Sequence, residues 1–585
     1  MELFNLFSFC FVALLIFLAV AIRFALTPAQ LEKWALPQGS RTQRAIQWVS
    51  SMARPEGAHP RLYWVLFTVA ILVATGLRVY QFGGVPAGFN QDGAMAAVDA
   101  KALSDYGTDR FGMKFPVQFT AWGYGQMSVL LSYAMVPFIK VFGLTAITAR
   151  LPMLFASLLG LVALFFLIKD LAGRRAALVL LFFAAINPWH IMQSRWALDC
   201  NMFPHMLLIG LFLLNRMNRS PGYLYASMIF FALCMYSYGI AFVTIPLFLL
   251  ATLVLLLFKR MASWRQLLIA SAVYIGLSWP VWLVMVINTL KLSTVQTPFF
   301  TAAFFENSVR SKDLLFFADD FWSQLLINVQ SLLNVVFLQR PDLPWNALDN
   351  YGTIYLCSMP FVWVGLLWSI KEIMTSANKQ KQFAYSILMF GFLTGIWAGL
   401  VVASVNVNRI NIIFYVMIIL GGLGIYQTIR WFRCSKYLIA VLYAILLVQF
   451  SSHYFGDYAD QIGEYYFEDF GKALNYVEDK PFESIYVTVN SQYEGSKNVS
   501  EILTLFHHGI DAQYFQGVTN QVEGKTLRPY SEKYRYASMR DLVINPSEQA
   551  VYVVNSNEVQ YFDPAVFHIE QFPRFSAVIP RNMQN

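Results

Sequence analysis

Long apolar runs separated by short charged segments dominate the chain as far as Ser452. Each run approaches the length of about 20 apolar residues that a helix needs to cross a hydrocarbon layer ~30 Å thick. The runs cover residues 6–25, 62–82, 151–171, 176–190, 203–214, 222–238, 240–258, 267–287, 354–370, 383–404, 410–429 and 437–452. This pattern predicts an all-α polytopic membrane domain with about 12 transmembrane helices.

Two further apolar segments, 126–142 and 320–338, do not fit the alternation of charged loops. If residues 126–142 crossed the membrane, Arg174 and Arg175 would leave the side that holds the other basic loops. Pro137 and Lys140 also interrupt that segment. We therefore expect both segments to form helices at the outer surface. Both chain ends are then outside, and residues 83–125 and 288–350 form external loops.

The pattern changes after Ser452, where shorter apolar stretches of two kinds follow one another. Residues 484–489, 550–554 and 576–579 resemble strands, whereas 468–478 and 499–507 have helical spacing. The expected organisation has three parts. Residues 1–61 hold an extra span and a cytoplasmic loop, 62–455 form the main transmembrane domain, and 456–585 form a small extracytoplasmic α/β domain.

Composition agrees with a membrane protein and argues against a nucleic-acid partner. Charged residues make up 13% of the chain, whereas a soluble protein has about 25%. The formal net charge is +8, yet residues 456–585 contain 10 Lys and Arg against 18 Asp and Glu. The positive excess therefore belongs to the loops between spans. There it indicates topology.

Polar side chains gather at the predicted outer ends of the spans. They are Asn90, Gln91 and Asp92 in the first external loop, His190, Gln193, Arg195 and Asp199 after a later run, and Asn408 and Arg409 before another. Because the topology places all three groups on one face, we expect them to share a site. Convergent polar groups in a concave surface are typical of ligand sites.

Four short phrases in this order resemble the GT-C glycosyltransferase superfamily, and within it the protein O-mannosyltransferase and lipid A aminoarabinose transferase group. They are Tyr-Gly-Gln-Met at 124–127, Ala-Arg-Leu-Pro at 149–152, Ser-Arg-Trp-Ala-Leu-Asp at 194–199 and Asn-Val-Asn-Arg-Ile-Asn at 406–411. The resemblance covers roughly residues 62–430 and implies a GT-C-like membrane domain.

The resemblance implies transfer of a sugar from a polyprenyl-phosphate donor to a glycan, lipid or protein acceptor, with inversion in a single displacement. The family's first-loop acid corresponds to Asp92, which would take a proton from the acceptor. Asp199 is a second catalytic candidate. The leaving phosphate needs fixed cations. The candidates are Arg195, Arg409, Lys312, Arg310 and Arg340, of which Arg409 is the strongest.

Several alternatives stay open at this point. Many relatives have two adjacent acids in the first loop, but Gly93 follows Asp92 here, so no metal ligand is assigned and a divalent cation remains an open alternative. His190 and His205 are expected in a polar pocket. Arg195 and Asp199, four residues apart, could form an ion pair on one helix face.

Two other interpretations concern the loop charges and the class of protein. Lys101, Asp99, Asp105 and Asp109 are most simply a solvated loop face. A polytopic transporter or a lipid-sugar flippase is the alternative function, but such proteins place ionisable groups near the middle of the bilayer. The predicted spans here are nearly free of charge. A structural assembly protein would leave the ordered polar groups unexplained.

Overall fold

A computed structural model of the protein describes residues 1–25, 60–122, 125–306, 314–478, 480, 482–491 and 495–583. The predicted cytoplasmic loop before residue 60 lies outside this part of the chain. In chain order the helices are α1 (Glu2–Ala25), α2 (Pro60–Val79), α3 (Gln91–Tyr106), α4 (Leu130–Phe142), α5 (Ala146–Ala172), α6 (Arg174–Ala185), α7 (Pro188–Gln193), α8 (Asp199–Asn215), α9 (Pro221–Met235), α10 (Ala241–Lys259), α11 (Trp264–Leu290), α12 (Phe321–Leu332), α13 (Met359–Thr375), α14 (Lys379–Val401), α15 (Ile412–Trp431), α16 (Ser435–Tyr454), α17 (Asp457–Tyr465), α18 (Phe470–Glu478), α19 (Lys497–His507), α20 (Ala512–Phe515) and α21 (Tyr530–Lys533).

Nine helices in the described part of the chain are long and apolar enough to cross a membrane. They are α1, α2, α5, α10, α11, α13, α14, α15 and α16, and each coincides with a run predicted from the sequence. The other three predicted runs are also helical, but α6, α8 and α9 have only 12, 17 and 15 residues. The all-α membrane domain is thus confirmed, with three of its expected spans shorter than the rest.

The segments predicted to lie at the surface are short helices in the structure. Residues 126–142 contain α4, and residues 320–338 contain α12 followed by a π-helical turn, Leu333–Phe337. Both belong to the shorter apolar helices rather than to the nine long ones. Their placement at a lipid surface remains a prediction.

Helix α15 is the centre of the membrane domain, because 89% of the residues in its most apolar 18-residue stretch are buried inside the protein. It packs closely against α13 through two glycines. A Cβ at Gly365 or Gly424 would collide with a backbone oxygen of the facing helix. Small residues at such contacts let two backbones approach, which replaces the hydrophobic driving force that is missing between helices in lipid.

The C-terminal region forms one five-stranded sheet with helices beside it. The strand order is β10–β11–β9–β5–β8, where β5 is Ser484–Thr488, β8 is Tyr534–Ala537, β9 is Ala550–Asn555, β10 is Phe567–Gln571 and β11 is Phe575–Pro580. The pairs that β5 makes with β8 and β9 are parallel, and the others are antiparallel. Two-stranded hairpins join β1 (Phe119–Ala121) to β2 (Gly125–Met127), β3 (Val295–Gln296) to β4 (Thr301–Ala302) and β6 (Gln521–Val522) to β7 (Lys525–Thr526). The predicted α/β character is confirmed.

The C-terminal sheet region contacts the first loop directly through α19 and α20. The ring of Phe506 stacks on Phe89, with 4.4 Å between centroids. The hydroxyl of Tyr106 donates to Asp511 at 2.5 Å, and the Gln516 amide donates to the backbone oxygen of Arg110 at 3.0 Å. Helix α3 is therefore held between the membrane domain and the C-terminal region.

This position explains why the prediction of a solvated loop face is wrong for Asp99 and Asp109, which are both fully buried. The Arg110 guanidinium forms an ion pair with Asp99 and also donates to the backbone oxygen of Thr120 at 2.8 Å. Burial raises the pKa of Asp99 to about 7, although Arg110 acts in the opposite direction. Only the Lys101–Asp105 pair is partly exposed, as expected.

We predict that Asp99→Ala lowers the free energy of unfolding by about 3–5 kcal/mol, because it leaves the buried Arg110 without its carboxylate. The matched control is Asp105→Ala, which breaks a partly exposed pair and should cost less than about 1 kcal/mol. Unfolding in detergent micelles measures both variants. Equal effects of the two substitutions would contradict the buried ion pair.

Candidate active site

Arg195 fixes the irregular backbone that leads from α2 into the first loop. Its side chain is fully buried, and its five N–H groups make five hydrogen bonds. The acceptors are the backbone oxygens of Leu77, Arg78, Gln81 and Val85, at 2.7–3.3 Å. Since a helix end leaves carbonyl groups unpaired, this guanidinium satisfies those at the end of α2.

This geometry corrects two expectations about Arg195. The chain leaves the helical conformation between α7 and α8, so Arg195 lies in the connection and Asp199 begins the next helix. They do not share a helix face, and the predicted i,i+4 ion pair is wrong. The hydrogen bonds to carbonyl groups also occupy the guanidinium. The structure therefore does not support Arg195 as a ligand of the donor phosphate.

A second buried arginine, Arg150, holds the next part of the loop. Its guanidinium donates to the backbone oxygens of Gly88 at 2.8 Å and Phe82 at 3.4 Å, and it lies 5.4 Å from the Phe89 ring centroid. Sequence reasoning missed this residue, although it stands in the Ala-Arg-Leu-Pro phrase. The available signal was a charged residue at the start of an apolar run, where a partner is needed.

Asp92 lies in the first turn of α3, directly after this loop. The Asn90 side chain caps the helix by accepting from the Asp92 N–H at 3.0 Å, and Gln91 is buried beside it. The Asp92 side chain is partly exposed. Burial raises the pKa of Tyr466, and the negative charge of Asp92 acts in the same direction, which places Asp92 near that tyrosine.

The connection between α7 and α8 touches both predicted parts of the site. A Cβ at Gly93 would lie 3.0 Å from the Ala197 oxygen, so the start of α3 packs against this connection. On the other side, the Asn411 amide donates to the Cys200 oxygen at 2.6 Å. The backbone loops that carry Asp92 and Arg409 therefore contact the same short segment, which we call the 193–201 segment.

Arg409 lies in the loop before α15 and is partly exposed. Its guanidinium donates to the Ala403 oxygen, and the backbone N–H of Arg409 donates to the Asn406 side chain at 3.0 Å. Asp342, from the long loop, accepts from the Val407 N–H at 2.5 Å and so fixes the neighbouring backbone. Burial raises the pKa of Asp342, although the hydrogen bond from the Val407 N–H acts in the opposite direction.

The remaining predicted residues fall into four groups. Asp199 accepts from the Cys200 N–H at 2.7 Å and the Ser128 N–H at 3.4 Å, which joins α8 to the segment before α4. Gln193 is the first residue of the 193–201 segment, and Asn408 stands three residues before Asn411, which contacts that segment. Both carry buried polar atoms. Arg310 and Lys312 lie outside the described residues, and Arg340 is an exposed loop residue.

His190 belongs to a buried network with Arg78, Tyr415 and His205. Its Nδ1 lies 2.7 Å from an Arg78 nitrogen, its Nε2 lies 2.7 Å from the Tyr415 hydroxyl, and that hydroxyl lies 2.8 Å from His205 Nδ1. The network joins α2, α7, α8 and α15. In the part of the chain that the structure describes, no group of three or more His, Cys, Asp or Glu side chains is placed to hold a metal ion.

Similarity to solved structures identifies the fold. ArnT from Cupriavidus metallidurans bound to undecaprenyl phosphate aligns over 89% of this chain and 98% of its own, with a TM-score of 0.50 and 13% identity. Its apo form aligns over 92% and 98%, at 0.47 and 12%. The apo oligosaccharyltransferase of Archaeoglobus fulgidus aligns over 76% and 64%, at 0.46 and 14%. No family model and no curated protein matches the sequence.

The ArnT alignment confirms the resemblance stated from the sequence at the level of fold. The protein therefore shares the fold of ArnT. At 13% identity the likeness concerns the fold alone. The chemistry must be argued from the residues of this chain.

We predict that Arg195→Lys lowers the free energy of unfolding by at least about 2 kcal/mol, because lysine has three donors and leaves buried carbonyl groups unpaired. Arg174→Lys, at an exposed arginine, is the control and should change little. The measurement is unfolding in detergent. If Arg195→Lys keeps its stability but loses binding of polyprenyl phosphate, the result would support Arg195 as a ligand of the donor phosphate.

Proposed function

We propose that the protein is a membrane glycosyltransferase that moves a sugar from a polyprenyl-phosphate donor to an acceptor on the extracytoplasmic face. The observation that carries this proposal is Asp92, a partly exposed carboxylate at the start of α3 on a backbone held by two buried arginines. The GT-C fold supports it, and so does the bound undecaprenyl phosphate of ArnT.

Asp92 is the general base in this proposal. A hydroxyl or amine of the acceptor attacks C1 of the sugar while its proton passes to the carboxylate. The bond between C1 and the phosphate oxygen breaks at the same time, so polyprenyl phosphate leaves with the bonding electrons and the anomeric centre inverts. A well-placed base of this kind contributes about 10²–10⁴-fold to the rate. The rigid loop keeps the carboxylate in position for the attack.

Negative charge builds on the leaving phosphate, and Arg409 is the described cation that we assign to it. Its side chain is partly exposed, and its loop contacts the same 193–201 segment as α3 does. Arg310 and Lys312 remain predicted contributors. Asp199 accepts two backbone N–H groups, so we assign it a positioning role rather than a second proton transfer.

An apolar cavity of about 310 Å³ suits the hydrocarbon part of a lipid substrate. Its walls come from the first loop, α4, α9, α11 and the β3–β4 hairpin, and they include Val117, Val129, Tyr133, Tyr236 and Phe300. Val129 follows Ser128, whose N–H binds Asp199, so the cavity reaches the region of the site. A mostly apolar cavity beside a few polar groups is typical of a ligand site.

The alternative of a transporter or lipid-sugar flippase gains one observation from the structure. Arg78, His190, His205 and Tyr415 are polar groups buried among apolar helices, and such groups mark transport pathways in many membrane proteins. Here, however, both ring nitrogens of His190 are hydrogen-bonded within the network. This arrangement favours a structural junction between helices over a path for a substrate.

We predict that Asp92→Asn keeps the fold but lowers sugar transfer by about 10²–10⁴-fold, because an amide cannot accept the proton. The control is Asp105→Asn, in the same helix but paired with Lys101 at its far end. Transfer of radiolabelled sugar from a polyprenyl-phosphate donor is measured in reconstituted vesicles at equal amounts of folded protein.

The same assay tests the face of the membrane. With sealed right-side-out vesicles and an acceptor that cannot cross the bilayer, transfer should occur when the acceptor is outside. Wild-type turnover by a folded Asp92→Asn protein would refute the assignment of the base. Transfer only to an acceptor enclosed in the vesicles would refute the face.

A further inference from the structure

Buried polar atoms without a hydrogen-bond partner in the described structure gather around the 193–201 segment. They are Trp189 Nε1, Gln193 Oε1 and Nε2, Trp196 Nε1, Asn346 Oδ1, Asn408 Oδ1 and Asn411 Oδ1. Leaving such an atom unpaired is costly, because it has lost the hydrogen bonds that it made to water in the unfolded chain. A native protein tolerates few of them, so a local group calls for an explanation such as a ligand.

Contacts join Trp196, Asn346, Asn411 and the backbone beside Asn408, and Gln193 stands in the same segment as Trp196. The rings of Trp196 and Trp345 are 6.4 Å apart, and Asn346 is the next residue. The Asn346 amide donates to Asp342, which also binds the backbone beside Asn408. Asn411 binds the oxygen of Cys200 within the 193–201 segment.

The same region reaches the proposed base. The Trp196 ring lies 6.0 Å from the ring of Tyr466, whose backbone oxygen accepts from the Phe89 N–H in the loop just before Asp92. Gly93, next to Asp92, packs against the oxygen of Ala197. The unpartnered atoms therefore lie around the segment that adjoins the reacting group.

The chemistry of these atoms indicates what they bind. All belong to neutral amide or indole groups, which suit hydroxyl groups because a hydroxyl both donates and accepts. A carboxylate on the sugar needs a cation, but the Arg195 guanidinium is occupied by backbone oxygens and Arg409 is assigned to the donor phosphate. An ammonium group needs a carboxylate, but Asp199 and Asp342 accept from backbone N–H groups and Asp92 is assigned to the acceptor proton.

We propose that this region is the sugar subsite and that the transferred sugar is neutral and rich in hydroxyl groups. This inference rests on the proposed glycosyl transfer and adds to it the class of sugar. The rings of Trp196 and Trp345, which meet edge to face, supply apolar surface beside these polar groups. The subsite lies between the base and the loop that carries Arg409.

Gln193 offers the sharpest test, because it is 2% exposed and neither polar atom of its amide has a partner in the described structure. Gln339 is a matched control, being 5% exposed with both atoms bonded. Its nitrogen donates to the Val336 oxygen at 2.6 Å, and its oxygen accepts from Thr353 and the Ile354 N–H, each at 2.8 Å. Methionine has nearly the shape of glutamine without its polar atoms.

The full-length protein and its Gln193→Met and Gln339→Met variants are compared in three measurements. These are thermal unfolding in detergent without donor, binding of undecaprenyl phosphate without sugar, and transfer from undecaprenyl-phosphate-linked sugars. The sugars are a neutral hexose, an amino sugar and a hexuronic acid, and the acceptor is a membrane extract.

Gln193→Met should keep or raise the unfolding midpoint and keep binding of undecaprenyl phosphate, yet lower transfer of the neutral hexose about tenfold, the effect of losing one or two hydrogen bonds. Gln339→Met should lower the midpoint and keep transfer per folded molecule. The wild type should prefer the neutral hexose.

Three results would overturn the inference while leaving glycosyl transfer intact. The first is unchanged transfer by Gln193→Met. The second is a lowered unfolding midpoint in that variant, with transfer per folded molecule either preserved or reduced in proportion to the loss of stability. The third is a wild-type preference for either charged sugar. Absence of transfer from all three donors by the wild type would instead refute the proposed function itself.

Discussion

The site depends on buried carbonyl groups at the end of α2 that have no helical partners. The chain must leave the helix there to reach the first loop, and in an apolar setting each unpaired carbonyl group is costly. From the connection between α7 and α8, Arg195 donates to the oxygens of Leu77 and Arg78 in the last turn of α2 and to those of Gln81 and Val85 in the turn that follows. One side chain thus fixes the loop that precedes Asp92 and joins it to the segment on which the other site loops pack.

The same requirement ties the C-terminal region to the site. The Phe89 N–H donates to the Tyr466 oxygen at 2.6 Å, and the Phe89 ring stacks on Phe506. Helix α3 is thereby confined on two sides, which suits a group that must hold one geometry during a displacement reaction. In the proposed reaction, the C-terminal region would act by holding α3 and its Asp92 in place.

Some of this could be predicted from the sequence, because span length and strand alternation are local properties. The nine long helices, three of the five strands of the C-terminal sheet and the position of Asp92 beside a helix start follow from such patterns. The partners of Arg195 could not be predicted, since the carbonyl groups it binds lie more than 100 residues away. For the same reason the sequence predicts Asp99 in solvent. The helix α19, which packs against the helix of Asp99, lies far away in the chain.

The most direct test is a density map of the protein with bound polyprenyl phosphate. The proposed mechanism requires the phosphate to lie beside Asp92, within hydrogen-bond reach of the Arg409 guanidinium. Arg195 should remain on the carbonyl groups of α2 and the first loop, and the hydrocarbon chain should extend into the apolar cavity near Val129. A phosphate bound by Arg195, or one held in a region that Asp92 and Arg409 do not share, would contradict it.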